Sequence, residues 1–395
     1  MKQVPLKKTA IIGTGPGGLM AASQLALSGS AEVHVFERRS GFGRKLLIAG
    51  SSGLNISHHL PIDEFAAHYE GCTKEEWKKL LTQFGPTEWI QFLNQELGLE
   101  TFLGTSDRYF VREMKAANLL KAWTQFLEKH GVKFHSEHEL IGFQSTHTNI
   151  TLEFKTPNGV TTAPFDQAAL FLGGGSWENE MPSWVELFRK KNIKVVEFAP
   201  SNVGYEVAWS SAFLKESEGQ PLKKVLLSTS RGKKLGELVI TKYGLEGTPV
   251  YFCGISGKAT LDLKPDLTES EILKRLRDMK ENFSPMRRVK HLLGLSPAAE
   301  SLVFHHAGEA KEQLEKLISM IKRFPIELIK PRPLEEAISS RGGVALNEIS
   351  EIYEFKKFPR IFCGGEMLDW DAPTGGFLIQ ACVSQGARIG KHLAS

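Results

Sequence analysis

Apolar and polar positions alternate in a recognisable order from the start of the chain. An apolar run from about Lys8 to Ile12 predicts a strand. A stretch with apolar residues at helical spacing follows, from about Gly17 to Ser28, with Gly29 as its stop. A second apolar run, Ala31 to Phe36, predicts another strand and is closed by Glu37. The turn between the first strand and the helix reads Gly13-x-Gly15-x-x-Gly18. Gly13 permits the tight turn, Gly15 leaves room for a pyrophosphate, and Gly18 lets helix and strand pack closely. The helix N-terminus offers free N–H groups to phosphates, and Glu37 is placed to accept from ribose hydroxyls. Strand, glycine turn, helix, strand and acid together point to dinucleotide binding.

Further along, the pattern is helical. Thr73-Lys-Glu-Glu76 is a capping box, and Trp77, Leu80, Leu81 and Phe84 follow on one face. Pro86 opens a helix to about Leu97, stopped by Gly98. Ala116 to His130 carries Leu119, Leu120, Trp123, Phe126 and Leu127 on one face, most simply a core stripe. Strands resume at Val132–His135 and at Ile150–Lys155, and Pro157-Asn158-Gly159 signals a hairpin. Phe165 to Leu172 is an apolar strand running into Gly173-Gly174-Gly175-Ser176.

From about Trp184 the segments become short and β-rich: Lys194–Phe198, Leu222–Thr229, Gly236–Thr241 and Ala259–Leu263. They predict a small antiparallel sheet or barrel. Pro265-Asp-Leu-Thr268-Glu-Ser-Glu271 opens a second capping box and a helical block to about Phe324. Its basic residues Lys274, Arg275, Arg277, Lys280, Arg287, Arg288 and Lys290 read as a solvated face, with a nucleic-acid surface as the alternative. The last pattern is a strand, Arg360 to Cys363, delivering Gly364-Gly365-Glu366. Thr374-Gly375-Gly376 then precedes an amphipathic helix to about Leu393. Glycines at that helix start leave N–H groups for an electron-rich acceptor under the helix dipole.

Between Gly41 and Asn55 the chain is rich in glycine and small polar residues and is read as a loop shaped to a ligand. Arg44 and Lys45 are candidates to serve a pyrophosphate; the alternative is two solvated charges.

Length and composition narrow the class without changing this picture. The 395 residues allow two or three domains, and 41% hydrophobic with 24% charged content is ordinary for a soluble globular chain. Net charge is +4, which by itself does not suggest nucleic-acid binding. Cys72, Cys253, Cys363 and Cys382 are scattered with no C-x-x-C, so no redox dithiol of that type, no Cys-rich zinc site and no metal site is expected. They read as reduced thiols of a cytoplasmic protein. The lysines before the first apolar stretch resemble a secretion signal, but four glycines and a proline interrupt it and the dinucleotide motif accounts for it. No stretch has the ~18 uninterrupted apolar residues of a membrane span.

The two ends of the chain together resemble the two-motif class of FAD proteins. More closely, the chain resembles the BaiN-type (aminoacetone-oxidase-like, YhiN-type) NAD(P)/FAD-dependent oxidoreductases. The stretches that carry this are Gly43-Arg-Lys-Leu-Leu-Ile-Ala-Gly-Ser-Ser-Gly-Leu-Asn55, Ala169-Leu-Phe-Leu-Gly-Gly-Gly-Ser-Trp177, Leu261-Asp-Leu-Lys-Pro-Asp266 and Gly364-Gly-Glu-Met-Leu-Asp-Trp-Asp-Ala-Pro-Thr-Gly-Gly-Phe377. One departure stands out. The family's usual Gly-Gly-Gly-Arg-Cys-Asn loop is here Gly50-Ser-Ser-Gly-Leu-Asn55, without Arg or Cys.

The resemblance implies an α/β fold: an FAD-binding Rossmann-like domain with an inserted β-barrel-like domain and a small helical domain. Residues 1–185 and 331–395 would form the FAD domain, 186–265 and 325–330 the β-barrel-like domain, and 266–324 the helical insert. It also implies that Gly13, Gly15, Pro16, Gly17, Gly18, Glu37, Arg38, Arg44, Lys45, Leu54, Asn55, Gly173, Gly174, Gly365, Glu366, Thr374, Gly375, Gly376 and Phe377 surround FAD.

The expected activity is hydride transfer between the flavin and a small molecule, amine or enone-like. Only one full dinucleotide fingerprint is present, so electrons come either from NADH or NADPH visiting transiently or from the substrate itself. Asp369, Asp371 and His58 are the candidates for proton handling. For the two aspartates, capping the loop or helix is the competing role; for His58 and His59, it is a plain surface position. Trp370 and Phe377 either wall the flavin pocket or pack ordinarily. An RNA-modifying flavoprotein and a non-catalytic flavin-binding sensor are the alternative functions.

Overall fold

The computed structural model describes residues 6–50, 54–277 and 283–395. Two compact units emerge, Met1–Ala199 with Ser340–Ser395, and Pro200–Ser339.

The first unit is built on a five-stranded parallel sheet. Its order is Ile361–Cys363, Gln167–Leu170, Lys7–Ile12, Ala31–Phe36 and Lys133–His135. Near-continuous burial of these strands follows from helices covering the sheet. The first helix, Pro16–Ser28, ends where Gly29 turns left-handed at φ 63°. It packs against the final helix, Phe377–Ala394, through small residues. A Cβ on Gly386 would overlap the Gly17 carbonyl, and one on Gly390 would sit 2.6 Å from the Ala21 oxygen. Gln167 ties the two chain ends together, donating to Thr9 Oγ1 at 3.0 Å and to the Leu393 carbonyl at 2.8 Å. The Gly-rich first turn and the start of the last helix are thereby fixed on one scaffold.

Helices Lys74–Gln83, Pro86–Gln95 and Ala116–Lys129 bury the aromatic stripes as expected. Trp77, Trp89 and Trp123 are all at most 2% exposed. The Thr73–Glu76 capping box forms in both directions. The hairpin at 157–159 joins Ile150–Thr156 to Gly159–Phe165. The strand expected over Phe165–Leu172 is shorter, Gln167–Leu170. Phe165 belongs to the hairpin instead, and Asp166 breaks the run by accepting from Lys8 N at 2.7 Å.

One further correction concerns the glycine-rich stretch from Gly41 to Asn55. It is not all loop: Arg44–Ala49 is a helix, entered through left-handed Gly43 (φ 60°) and held by the buried Leu46. Of the positions where the family loop differs, Ser51, Ser52 and Gly53 lie outside the described residues, while Leu54 is buried.

The second unit is a six-stranded antiparallel sheet in the order Tyr205–Glu206, Gly244–Glu246, Gly232–Thr241, Pro221–Thr229, Gly257–Asp262 and Phe324–Leu328. Its two ends meet: Ile329 N donates to the Glu206 carbonyl and Glu206 N to the Lys330 carbonyl, at 2.9 and 3.0 Å, giving a barrel-like closure. Helices Glu269–Arg277, Pro285–Leu292, Pro297–His306 and Leu314–Lys322 lie between the last two strands in sequence and share one core with the sheet. Of their basic residues, Arg277 pairs with Glu315, Lys290 with Glu300, and Arg288 donates to the Phe283 carbonyl. Lys280 lies outside the described residues.

The four cysteines are free, with Cys253 and Cys363 buried. No helix among the described residues is long and apolar enough to cross a membrane.

Candidate functional site

The first turn opens into a cleft of the first unit. Its walls include Gly13, Thr14, Gly15, Glu37, Arg38, Arg39, Arg44, Lys45, Gly173 and Glu178. The three motif glycines are not equivalent. A Cβ on Gly13 would overlap the Phe171 carbonyl, and one on Gly18 the Gly13 carbonyl, so both are required by the chain's own packing. A Cβ on Gly15 would have nothing within 4 Å. Pro16 opens the helix, and Gly17 packs against Phe171. Glu37 closes the second strand as expected. Its carboxylate accepts from the Thr14 hydroxyl and from Arg39 N, which hold it at the cleft wall. Thr14 in turn accepts from Gly43 N at 2.9 Å, so the turn, the acid and the short helix after it are linked by one hydroxyl.

Neither Arg44 nor Lys45 is a freely solvated charge. Lys45 donates to the Gly174 carbonyl at 2.7 Å and lies 4.0 Å from Glu366. Arg44 donates to the Trp177 carbonyl at 3.0 Å. Arg38 and Arg39 both reach Glu178, at 2.7 and 2.8 Å, and Arg44 stands 3.6 Å from it. The segment after Gly173 is thus bound from one side by four cations of the segment after Glu37.

From the other side it meets the C-terminal motif. Gly175 N donates to Ser340 Oγ at 2.8 Å, and Ser340 N donates to Glu366 Oε1 at 3.1 Å. A Cβ on Gly174 would sit 2.9 Å from the Glu366 side chain. Gly365, left-handed at φ 79°, donates through its N–H to Gln385 Oε1 at 2.6 Å. Trp370 Nε1 donates to the Gly365 carbonyl at 2.9 Å. Trp370 is therefore a brace for the motif, packed on Trp77 and Tyr69.

Thr374 leads into the final helix. Gly375 (φ 107°) and Gly376 (φ 97°) are buried and left-handed, and the helix has no side-chain cap. A Cβ on Gly376 would stand 2.6 Å from Ser57 N, so this glycine is required by the strand Asn55–His58. Phe377 is 4% exposed, wedged among Phe65, His58, His68 and Tyr69. Its carbonyl accepts from the Tyr69 hydroxyl at 2.7 Å. Leu54 is buried in the core at 1% exposure, while Asn55 Oδ1 is buried without a hydrogen-bond partner.

The proton-handling candidates separate. Asp371 is 8% exposed. Its Oδ1 accepts from Ala372 N at 2.8 Å and its carbonyl from Glu70 N at 2.9 Å, a loop-holding arrangement. Asp369 is fastened through its N–H to the Val344 carbonyl at 3.0 Å. His58 is not the surface residue expected. Its ring lies 5.2 Å from that of Phe377, and burial, then the nearby Arg108, holds its imidazole below the ordinary value. His59 is exposed and meets the Tyr109 hydroxyl at 2.9 Å.

Arg108 was not foreseen. It stands opposite His58 on the strand Arg108–Val111, with its guanidinium against Gly375. An arginine in a short strand carries no sequence signal; only pairing with a strand about fifty residues earlier brings it here.

Comparison with known proteins bears on the fold and the family. The family described as HI0933-like protein Rossmann domain matches residues 7–392. The 3-dehydro-bile acid delta(4,6)-reductase of Clostridium scindens is 24% identical, with the match covering 98% of this chain and 99% of that protein. Among solved structures, the 3-ketosteroid-delta4-(5alpha)-dehydrogenase of Rhodococcus jostii RHA1 has a TM-score of 0.54 at 12% identity, covering 100% of this chain and 98% of that one. A flavocytochrome c3 fumarate reductase has a TM-score of 0.52 at 12% identity, covering 100% and 79%. These structural likenesses share the fold expected from the strand–glycine–helix pattern. The extent of the family match settles the assignment: the chain belongs to the HI0933-like Rossmann family.

Proposed function

We propose that this protein is an FAD-dependent oxidoreductase that moves a hydride between a small organic molecule and the flavin. The observation that carries this reading is Gly15. It is the one motif glycine whose missing side chain is explained by nothing in the chain, and it faces a cleft lined with basic residues. That is what a pyrophosphate needs. Buried Asn55 Oδ1, without a partner, supports a further contact with the cofactor. The bile acid relative, a reductase by its name, supports the same class of reaction.

In this reading Gly13, Gly15, Pro16, Gly17, Gly18, Glu37 and Arg38 hold the ADP part, with Arg44 and Lys45 offsetting the phosphate charge. Asn55, Gly173, Gly174, Gly365, Glu366 and Thr374 to Phe377 serve the remainder, over the core residue Leu54. When bound, the flavin supplies the hydride chemistry. The chain's own part is electrostatic and positional. The uncapped start of the final helix presents N–H groups and a positive dipole end. Trp370 and the Tyr69 hydroxyl hold that segment in place. His58, kept neutral near pH 7 by burial, can accept or return a proton beside Phe377. The substrate is a small molecule of the amine or enone class, with NADH or NADPH as a candidate electron donor.

The test is to purify the protein, identify its bound cofactor, and follow flavin bleaching without oxygen as NADH, NADPH, amines and enones are added. A yellow protein bleached by a member of the panel supports the proposal. A colourless protein that takes up no added FAD overturns it.

A further inference from the structure

The strand Arg108–Val111 pairs antiparallel with Asn55–His58, and Arg108 falls opposite His58. This register sets the arginine against the turn before the final helix. A Cβ on Gly375 would lie 3.2 Å from Arg108 Nε and 3.6 Å from its Cζ. Nε is buried and has no hydrogen-bond partner. No carboxylate of the described residues pairs with this guanidinium, although most cations around the cleft are paired.

The helix start beside the guanidinium is a positive dipole end, and the titratable rings flanking Phe377 are those of His58 and His68, with centroids 5.2 and 4.7 Å from it. The nearby acid is Asp107, exposed on the turn, and its influence on His58 is smaller than that of Arg108. A half-buried guanidinium without an anion loses hydration and gains nothing in return. A planar guanidinium matches the two oxygens of a carboxylate better than it matches any single neutral acceptor.

We propose that Arg108 binds the substrate, and that the substrate carries a carboxylate held by this guanidinium beside Gly375. This rests on the flavoenzyme reading, because it takes the start of the final helix to be the place where substrate and cofactor meet. Phosphates of the cofactor have a separate set of cations, Arg38, Arg39, Arg44 and Lys45, in the cleft of the first turn.

The experiment uses the protein as purified, its FAD content measured first. Benzoate and the isosteric, neutral benzamide are titrated by calorimetry and by the change they cause in the flavin spectrum. Wild type is expected to bind benzoate at least about ten-fold more tightly than benzamide. Arg108→Gln is expected to lose that preference with its FAD content unchanged, and Arg108→Lys to keep part of it. Equal binding of the two probes by wild type overturns the proposal, as does unaltered benzoate binding in Arg108→Gln. Loss of FAD from both variants also overturns it, since the arginine would then serve the cofactor. Calorimetry needs no flavin. A wild-type protein that takes up no FAD therefore overturns the flavoenzyme reading, while the benzoate titration still decides on the arginine.

Discussion

Gly18 faces Gly13 so closely that a Cβ on Gly18 would overlap the Gly13 carbonyl oxygen, whereas Gly15 between them has free space beyond its Cα. The two kinds of glycine predict opposite outcomes. Gly18→Ala forces backbone to move and is expected to cost about 3 kcal/mol of stability, or to prevent folding. Gly15→Asp is expected to fold with a melting temperature close to that of the wild-type apoprotein and to lose FAD. Thermal melts of the apoproteins and FAD stoichiometry separate the two. Stoichiometric FAD in a folded Gly15→Asp protein would move the cofactor away from this turn.

The N-terminus of the final helix is anchored by a buried polar chain. Ser57 Oγ donates to Gln380 Oε1 at 2.7 Å, Gln380 Nε2 donates to Ser384 Oγ at 3.1 Å, and Ser384 Oγ donates to the Phe84 carbonyl at 2.6 Å. Gln380→Leu leaves the fully buried Ser57 hydroxyl unpaired, at a cost of about 1–3 kcal/mol. The double variant Ser57→Ala with Gln380→Leu should be less destabilised than the sum of the single changes, by about 1 kcal/mol. Urea unfolding of the four proteins measures this. Strict additivity would show that the two side chains are not coupled.

What could be read from the chain was what is locally encoded. The turn at Gly13–Gly18 and the capping boxes at Thr73–Glu76 and Thr268–Glu271 depend on residues within five positions of one another, and all form. The hairpin at Pro157–Gly159 is equally local. The helix Arg44–Ala49 escaped notice because six residues are too few for a period, and its cause is tertiary: Leu46 enters the core. His58 looked like a surface residue because its burial depends on Phe377, more than three hundred positions away. Arg108 acquires meaning only through its register with His58 and its contact with Gly375. The site thus depends on long-range pairings that no local pattern announces.

A histidine cluster at the edge of the parallel sheet sets an acid limit. His34 Nδ1 and His135 Nε2 are 2.9 Å apart, and the His135 ring stacks on Phe36 at 4.5 Å. One ring must donate and the other accept, so the two cannot both be protonated while paired. Burial, followed by the proximity of His34, His138, Lys133 and Lys8, pushes His135 down to about 4 from an ordinary 6.5. His34 is lowered too, chiefly by burial, against the opposing pull of Glu32. With a folded value below the unfolded one, the stabilisation is present above about pH 6.5 and is lost as pH falls toward 4. Glu32, held at about 2 by Lys133 and His34, adds a further loss only below its ordinary 4.5. Melting temperatures from pH 7.5 to 4.5 should therefore fall more steeply in wild type than in His135→Gln. Parallel curves would remove His135 as the cause.

Glu178 lines the cleft with Arg38 and Arg39 bonded to its two oxygens and Arg44 at 3.6 Å. Burial pushes its carboxyl up, but the Arg38, Arg39 and Lys45 charges outweigh this and hold it below the ordinary carboxylate range. It is ionised at neutral pH, and its charge opposes that of any phosphate drawn in by the same arginines. Glu178→Gln keeps the shape, removes one negative charge and frees the guanidiniums. FAD should then bind about three- to ten-fold more tightly at low ionic strength, the gain shrinking as salt screens it. Flavin fluorescence titrations at low and high sodium chloride give both affinities. Weaker FAD binding by Glu178→Gln at low salt would mean that the carboxylate's main service is to aim the arginines, since orientation would then outweigh the repulsion.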